Sequence, residues 1–124
     1  MTLDDELRLK CEARCGRTVG EVLLEARGHV GGGWSEPLSR DASGAMCGPT
    51  DEGISRFSVA DALAIAARFD AQLDMYALHA LIEALQTSAW VDWQTWLNDP
   101  TRTQDEVVRL FGRAITRARA RASR

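Results

Sequence analysis

Trp96-Leu97-Asn98-Asp99-Pro100-Thr101-Arg102-Thr103-Gln104-Asp105-Glu106-Val107-Val108-Arg109-Leu110-Phe111 leads into an arginine-rich end that reaches Arg121 and beyond. A residue before proline is kept out of the helical region by the proline ring, so Asn98-Asp99-Pro100 ends one helix. Thr103 and Glu106 stand three apart and form the capping box of the next. Past that start, Val107, Phe111, Ala114, Ile115 and Ala118 share one helical face. Arg109, Arg113, Arg117 and Arg121 recur at four-residue intervals on the outer face. A stop, a start and an amphipathic helix in one run predict a bundle built from short helices.

The preceding chain repeats this grammar. Thr2 caps a first helix with Asp4, Asp5 and Glu6 in its first turn, and Leu3, Leu7 and Cys11 form its apolar stripe up to Cys15. Gly16 ends it. Thr18 and Glu21 make a second capping box ahead of Val19, Val22, Leu23 and Ala26, and Gly28 is expected to close that helix. Between residues 28 and 53 the periodicity gives way to glycine, serine and proline, with Arg40-Asp41-Ala42-Ser43-Gly44 reading as a turn between short extended arms. Helical spacing returns at Ile54, Phe57, Asp61, Ala64 and Ile65. Asp70 caps a further helix carrying Leu73, Ala77, Ala80, Leu81, Ala84 and Leu85. Trp90, Trp93 and Leu97 share the face of the last short helix before the proline. The expected fold class is mainly α: a small single-domain bundle of about five helices with a long irregular loop and a minimal β-hairpin near residues 37–47. The domain is expected to span 1–118, with 119–124 as a basic tail.

A chain of 124 residues with 45% hydrophobic and 27% charged residues is sized and composed for one folded domain. No apolar run is long enough for a bilayer span, and the start is acidic where a secretory leader would be basic and then apolar. No membrane partner is therefore expected. Cys11, Cys15 and Cys47 are odd in number, which favours a reducing compartment and a cytoplasmic location. The formal net charge of −3 conceals an asymmetry. Residues 1–106 hold 18 acids against 9 bases, a balance of −9, whereas residues 107–124 hold 6 arginines and no acid.

Gly33-Trp34, Arg40-Asp41 with Gly44, Arg56-Phe57-Ser58 before Asp61-Ala62-Leu63, and Asn98-Asp99-Pro100-x-Arg102-Thr103 followed by Val107 and Ala-Ile-x-x-Ala-Arg carry a resemblance. The chain resembles a family of small uncharacterised actinobacterial and phage proteins, domain of unknown function 6197, over roughly residues 19–119. The family pattern often has cysteine near Ser58 and glycine at Asp61. This chain departs at both, so no thiol role carries over to that position. The resemblance implies a fold and marked positions but no activity.

Three kinds of site are considered. A partner protein is the leading expectation, bound through Trp34, Trp96 and the row Arg109, Arg113, Arg117 and Arg121, because large aromatics and arginines dominate interface energetics. The alternative is an anion- or ligand-binding or enzymatic pocket of Arg40, Asp41, Arg56, Asn98 and Arg102, whose guanidinium forks suit anions. Each of these residues also has an ordinary role in a turn, a cap or an ion pair. Weak nucleic-acid binding through the arginine face is a second alternative, opposed by the acidic body. Cys11, Cys15, His29 and Cys47 lack a tight Cys-x-x-Cys knuckle, and no metal is assigned. Gly31-Gly32-Gly33 lacks the lysine and the preceding strand of a phosphate loop, and the serines lack a nucleophile elbow. His79 is expected half-buried on its helix. No cofactor and no catalytic residue are assigned, and the enzyme reading is left open, leaning against catalysis.

Overall fold

The second helix, α2 (Val19–Gly32), carries Val19, Val22, Leu23, Ala26 and Val30 on a face that is fully lost from solvent. In this computed structural model, which describes residues 2–86 and 90–122, three other helices close around it. They are α3 (Val59–Ala66), α4 (Ala71–Ala84) and α6 (Gln104–Ala122), and α6 makes the most extensive contact with α2. Leu63, Leu73, Leu81, Leu110 and Phe111 fill the space between them. Each such side chain contributes roughly 1.5–3 kcal/mol by leaving water. The first helix, α1 (Leu3–Cys15), lies against α4, and α5 (Trp90–Leu97) contributes Trp93 and Leu97 to the core. The side chain of Trp90, expected beside Trp93, lies outside the described residues. Six helices are present among the described residues, against about five expected, and the mainly α class holds. None of them is long and apolar enough to cross a membrane.

The helix starts follow from local side-chain chemistry. Thr2 and Thr18 each take the N3 amide on Oγ1 while the N3 carboxylate, Asp5 or Glu21, returns to the cap amide. Asp70 caps α4 through the Leu73 amide at 2.9 Å. Thr103 and Glu106 exchange the same pair of bonds, at 3.0 and 3.2 Å.

Four local expectations are corrected. First, α2 does not stop at Gly28 but runs to Gly32, because Gln104 at the start of α6 donates to the carbonyls of Val30 and Gly31 at 2.7 and 3.1 Å and so caps its end. Second, Ile54 begins no helix. Ile54–Arg56 is a strand, β3, and α3 starts later, where Ser58 accepts from the Asp61 amide. Third, the α1 stripe is barely buried: Leu3 and Leu7 are exposed, while Cys11 and the cap-binding Glu12 are buried. Fourth, His79 is exposed.

The loop region folds into a three-stranded antiparallel sheet in the order β2-β1-β3, with β1 at Ser39–Asp41 and β2 at Met46–Cys47. The hairpin expected near residues 37–47 is therefore present, with its arms at Ser39–Asp41 and Met46–Cys47. Asp41 Oδ1 accepts from the Ser43 amide and hydroxyl and from the Ala45 amide, and Gly44 supplies the left-handed turn residue at φ 87°. Toward the C-terminus, α6 continues unbroken past residue 118 to Ala122, so the described part of the basic tail is helix.

Candidate functional site

The outer row of α6 is not uniform. All four arginines at 109, 113, 117 and 121 are exposed. Arg117 Nη1 donates to the Glu83 carbonyl at 2.8 Å, and Arg121 pairs with the Glu83 carboxylate at 3.0 Å. These two bend over a groove of about 230 Å³ between α1, α4 and α6, where Glu12, Tyr76 and His79 also lie. Arg109 and Arg113 form no hydrogen bond or ion pair among the described residues. The free part of the basic face is therefore its first two turns.

The tryptophans assigned to the same surface are differently placed. Trp34 is half-buried against the core, and its Nε1 donates to Glu36 Oε2 at 2.8 Å. Trp96 stacks on Trp93, with centroids 6.1 Å apart, and the Arg102 guanidinium lies 3.9 Å over its ring. Arg102 is further held by the Trp96 carbonyl at 2.9 Å and Glu106 at 2.7 Å. It closes the α5–α6 turn, a local structural role.

The five residues of the ligand alternative fall into two groups. Register on the sheet sets Arg40 opposite Arg56, with Asp41 next in the strand. Arg40 donates to the Gly44 carbonyl at 3.1 Å, Asp41 is consumed by its turn, and Arg56 is exposed. Asn98 and Arg102 belong to the α5–α6 connection, where Asn98 donates to the Gln94 carbonyl at 3.0 Å. No hydrogen bond or ion pair joins the two groups among the described residues.

A cleft of about 420 Å³ between α3, α4 and α5 escapes a reading of the sequence. Glu36, Asp74 and Asn98 line it beside Leu63, Trp93 and Leu97. Burial pushes the Glu36 carboxyl up from the usual range, against the pull of its bonds from Val59 N and Trp34 Nε1, and the charge of Asp61 adds to the rise. Burial also pushes up Asp74. Below it, Ser39 Oγ donates to Asp61 Oδ2 at 2.7 Å and accepts from the Ser58 amide at 2.9 Å, with both serines buried. Ser58 and Asp61 thus meet in one network through Ser39. Little in the local sequence marks Glu36 or Ser39: Trp34 is near Glu36, but the Val59, Ser58 and Asp61 partners lie 19 to 23 residues away.

A carboxyl whose folded pKa exceeds its unfolded value costs stability above the folded pKa, and the cost disappears as pH falls to the unfolded value of 4.5. Glu36→Gln is accordingly expected to gain in melting temperature relative to wild type on going from pH 4.5 to pH 7. Paired thermal melts check this, and a difference that stays flat or runs the other way contradicts the burial of a charged Glu36.

Cys11, Cys15, His29 and Cys47 do not assemble as a set. His29 stacks on Phe57 at 4.8 Å, and Cys47 lies in β2. Asp70 joins the other two: Cys11, Cys15 and Asp70 bring one ligand atom each within 4.8 Å of the others. All three cysteines are free thiols.

Comparison with curated proteins and with solved structures gives no match. A family model does match, across residues 14–117, from the end of α1 into the last turns of α6. The chain belongs to that family, described as a family of unknown function, DUF6197.

Proposed function

We propose that this protein is a non-catalytic interaction module that binds an acidic partner protein through the outer face of α6, with Arg109 and Arg113 as its principal contacts. The observation that carries this reading is the division of the arginine row. Arg117 and Arg121 are engaged by Glu83, while Arg109 and Arg113 are exposed and unpaired among the described residues. Unpaired guanidinium groups need break no existing contact to meet carboxylates, and they present pre-organised forked donors. Trp34 and Trp96 contribute less, because each is already packed and bonded within the fold. The acidic body opposes a polyanion such as nucleic acid more than it opposes a protein whose acidic patch is local.

The ligand alternative has less support, since Arg40, Asp41, Asn98 and Arg102 each have a nearby partner. The setting we propose is a bacterial cytoplasm, with the module acting as a phage- or mobile-element-encoded inhibitor or adaptor. The family resemblance and the free thiols are consistent with that setting.

The test is affinity capture from the native host with wild type and with Arg109→Glu/Arg113→Glu, read by mass spectrometry. Wild type is expected to retain a partner that the double variant loses. A partner held equally by both sinks the proposal. A gel shift at low salt that weakens steeply with added salt would instead establish nucleic-acid binding.

A further inference from the structure

The junction of the C-terminal end of α1 with the start of α4 gathers soft and hard metal-ligating atoms around a cation the protein supplies itself. Cys11 and Cys15 are one helical turn apart on α1, and Asp70 is the N-cap of α4. Their ligand atoms lie within 4.8 Å of one another. In a tetrahedral site with bonds near 2.3 Å, two sulfurs stand about 3.8 Å apart, so closure requires movements of roughly 1 Å or less. The Arg14 guanidinium caps this cluster from the solvent side: it donates to Asp70 Oδ2 at 2.7 Å, to Gln72 Oε1 at 3.1 Å and to Cys11 Sγ at 3.8 Å. Its side chain is 56% exposed, so it can swing away without opening the core.

We propose that Cys11, Cys15 and Asp70 form a site for one thiophilic divalent cation of the zinc type, bound in competition with Arg14. On binding, the metal displaces two thiol protons to solvent and takes the position facing Asp70 Oδ2 that Arg14 now holds. Two thiolates and a carboxylate supply three ligands, and the fourth position faces the solvent side that Arg14 vacates. Asp70 Oδ1 keeps its bond from the Leu73 amide, which fixes the carboxylate plane and preserves the helix cap. Mixed sulfur and oxygen donors select zinc and cobalt over magnesium or calcium.

The test is titration of the reduced, chelator-treated full chain with Co²⁺, followed by the thiolate-to-cobalt charge-transfer absorption and by displacement with Zn²⁺. One cobalt per chain is expected, released by one zinc. Cys15→Ser, a half-exposed position whose replacement spares the core, removes the charge-transfer band. Asp70→Asn weakens binding at least tenfold, whereas Arg14→Gln strengthens it at least tenfold because the competing cation is gone. Cys47→Ser changes nothing. Circular dichroism confirms that each variant is folded. Absence of the band at millimolar cobalt, a band that survives Cys15→Ser, or an affinity unmoved by Arg14→Gln overturns the proposal.

Discussion

Phe111→Ala is expected to lower the free energy of unfolding by about 3–5 kcal/mol, the range for removing a buried aromatic ring and leaving its cavity. Phe111 has no exposed surface, and it lies on the face of α6 that meets α2 and α4. It cannot be replaced by relaxation alone, because helices on both sides are fixed at their ends. Gln104 ties the start of α6 to the end of α2, and Arg117 ties its later turns to α4. A domain of this size has roughly 5–15 kcal/mol in total, so the variant stands close to unfolding. Urea denaturation measures the loss, and Arg109→Ala, two residues away on the exposed face, serves as the control, with a change within about 0.5 kcal/mol. Equal effects at the two positions would contradict the assignment of inner and outer faces.

Gly33→Ala is expected to cost about 1–3 kcal/mol through overpacking. A Cβ at Gly33 would sit 2.4 Å from the Ser55 carbonyl oxygen and 3.3 Å from Arg56 Cα, and both are backbone atoms that cannot rotate away. That close approach is what lets the Phe57 amide donate to the Gly33 carbonyl at 2.8 Å, with Trp34 bonded to Glu36 alongside. Its neighbours behave oppositely. Gly31 lies inside α2 with nothing within 4 Å of a built Cβ, so Gly31→Ala is expected to be neutral or to stabilise by about 0.5–1 kcal/mol. The glycine triplet therefore divides into helix and contact point. Thermal melts that place Gly31→Ala below Gly33→Ala would contradict this division.

Four helix starts, those of α1, α2, α4 and α6, were legible in the sequence because each depends on a partner three residues away; the start of α3 at Ser58 was not. Thr2, Thr18, Asp70 and Thr103 all cap where their spacing to Asp5, Glu21, Leu73 and Glu106 predicts. The end of α2 was not legible, since its partner Gln104 is more than 70 residues distant. Ile54–Arg56 mimicked a helix start through the spacing of Ile54, Phe57 and Asp61, but pairing with β1 decided its conformation. Arg68 and Phe69 adopt left-handed φ of 54° and 61° between α3 and α4, although neither residue type signals it. There Glu25 takes Arg68 in two bonds at 2.7 and 3.0 Å, a contact 43 residues apart that holds the reversal in place.

The candidate sites follow the same rule. The arginine row on α6 is a local periodicity and could be read directly, but Glu83, which removes two of its four members from the free surface, lies 34 residues before Arg117. The cysteine pair on α1 is likewise local, and the Asp70 that completes it comes from α4. The distinction between the two halves of the arginine row is the central claim, and reversing each half separately tests it most directly. With a partner captured from the host, calorimetric affinities should fall at least about a hundredfold for Arg109→Glu/Arg113→Glu, or some 2.7 kcal/mol. Arg117→Glu/Arg121→Glu should stay within a few-fold of wild type. An equal loss in both, or a loss confined to the second pair, would contradict the account.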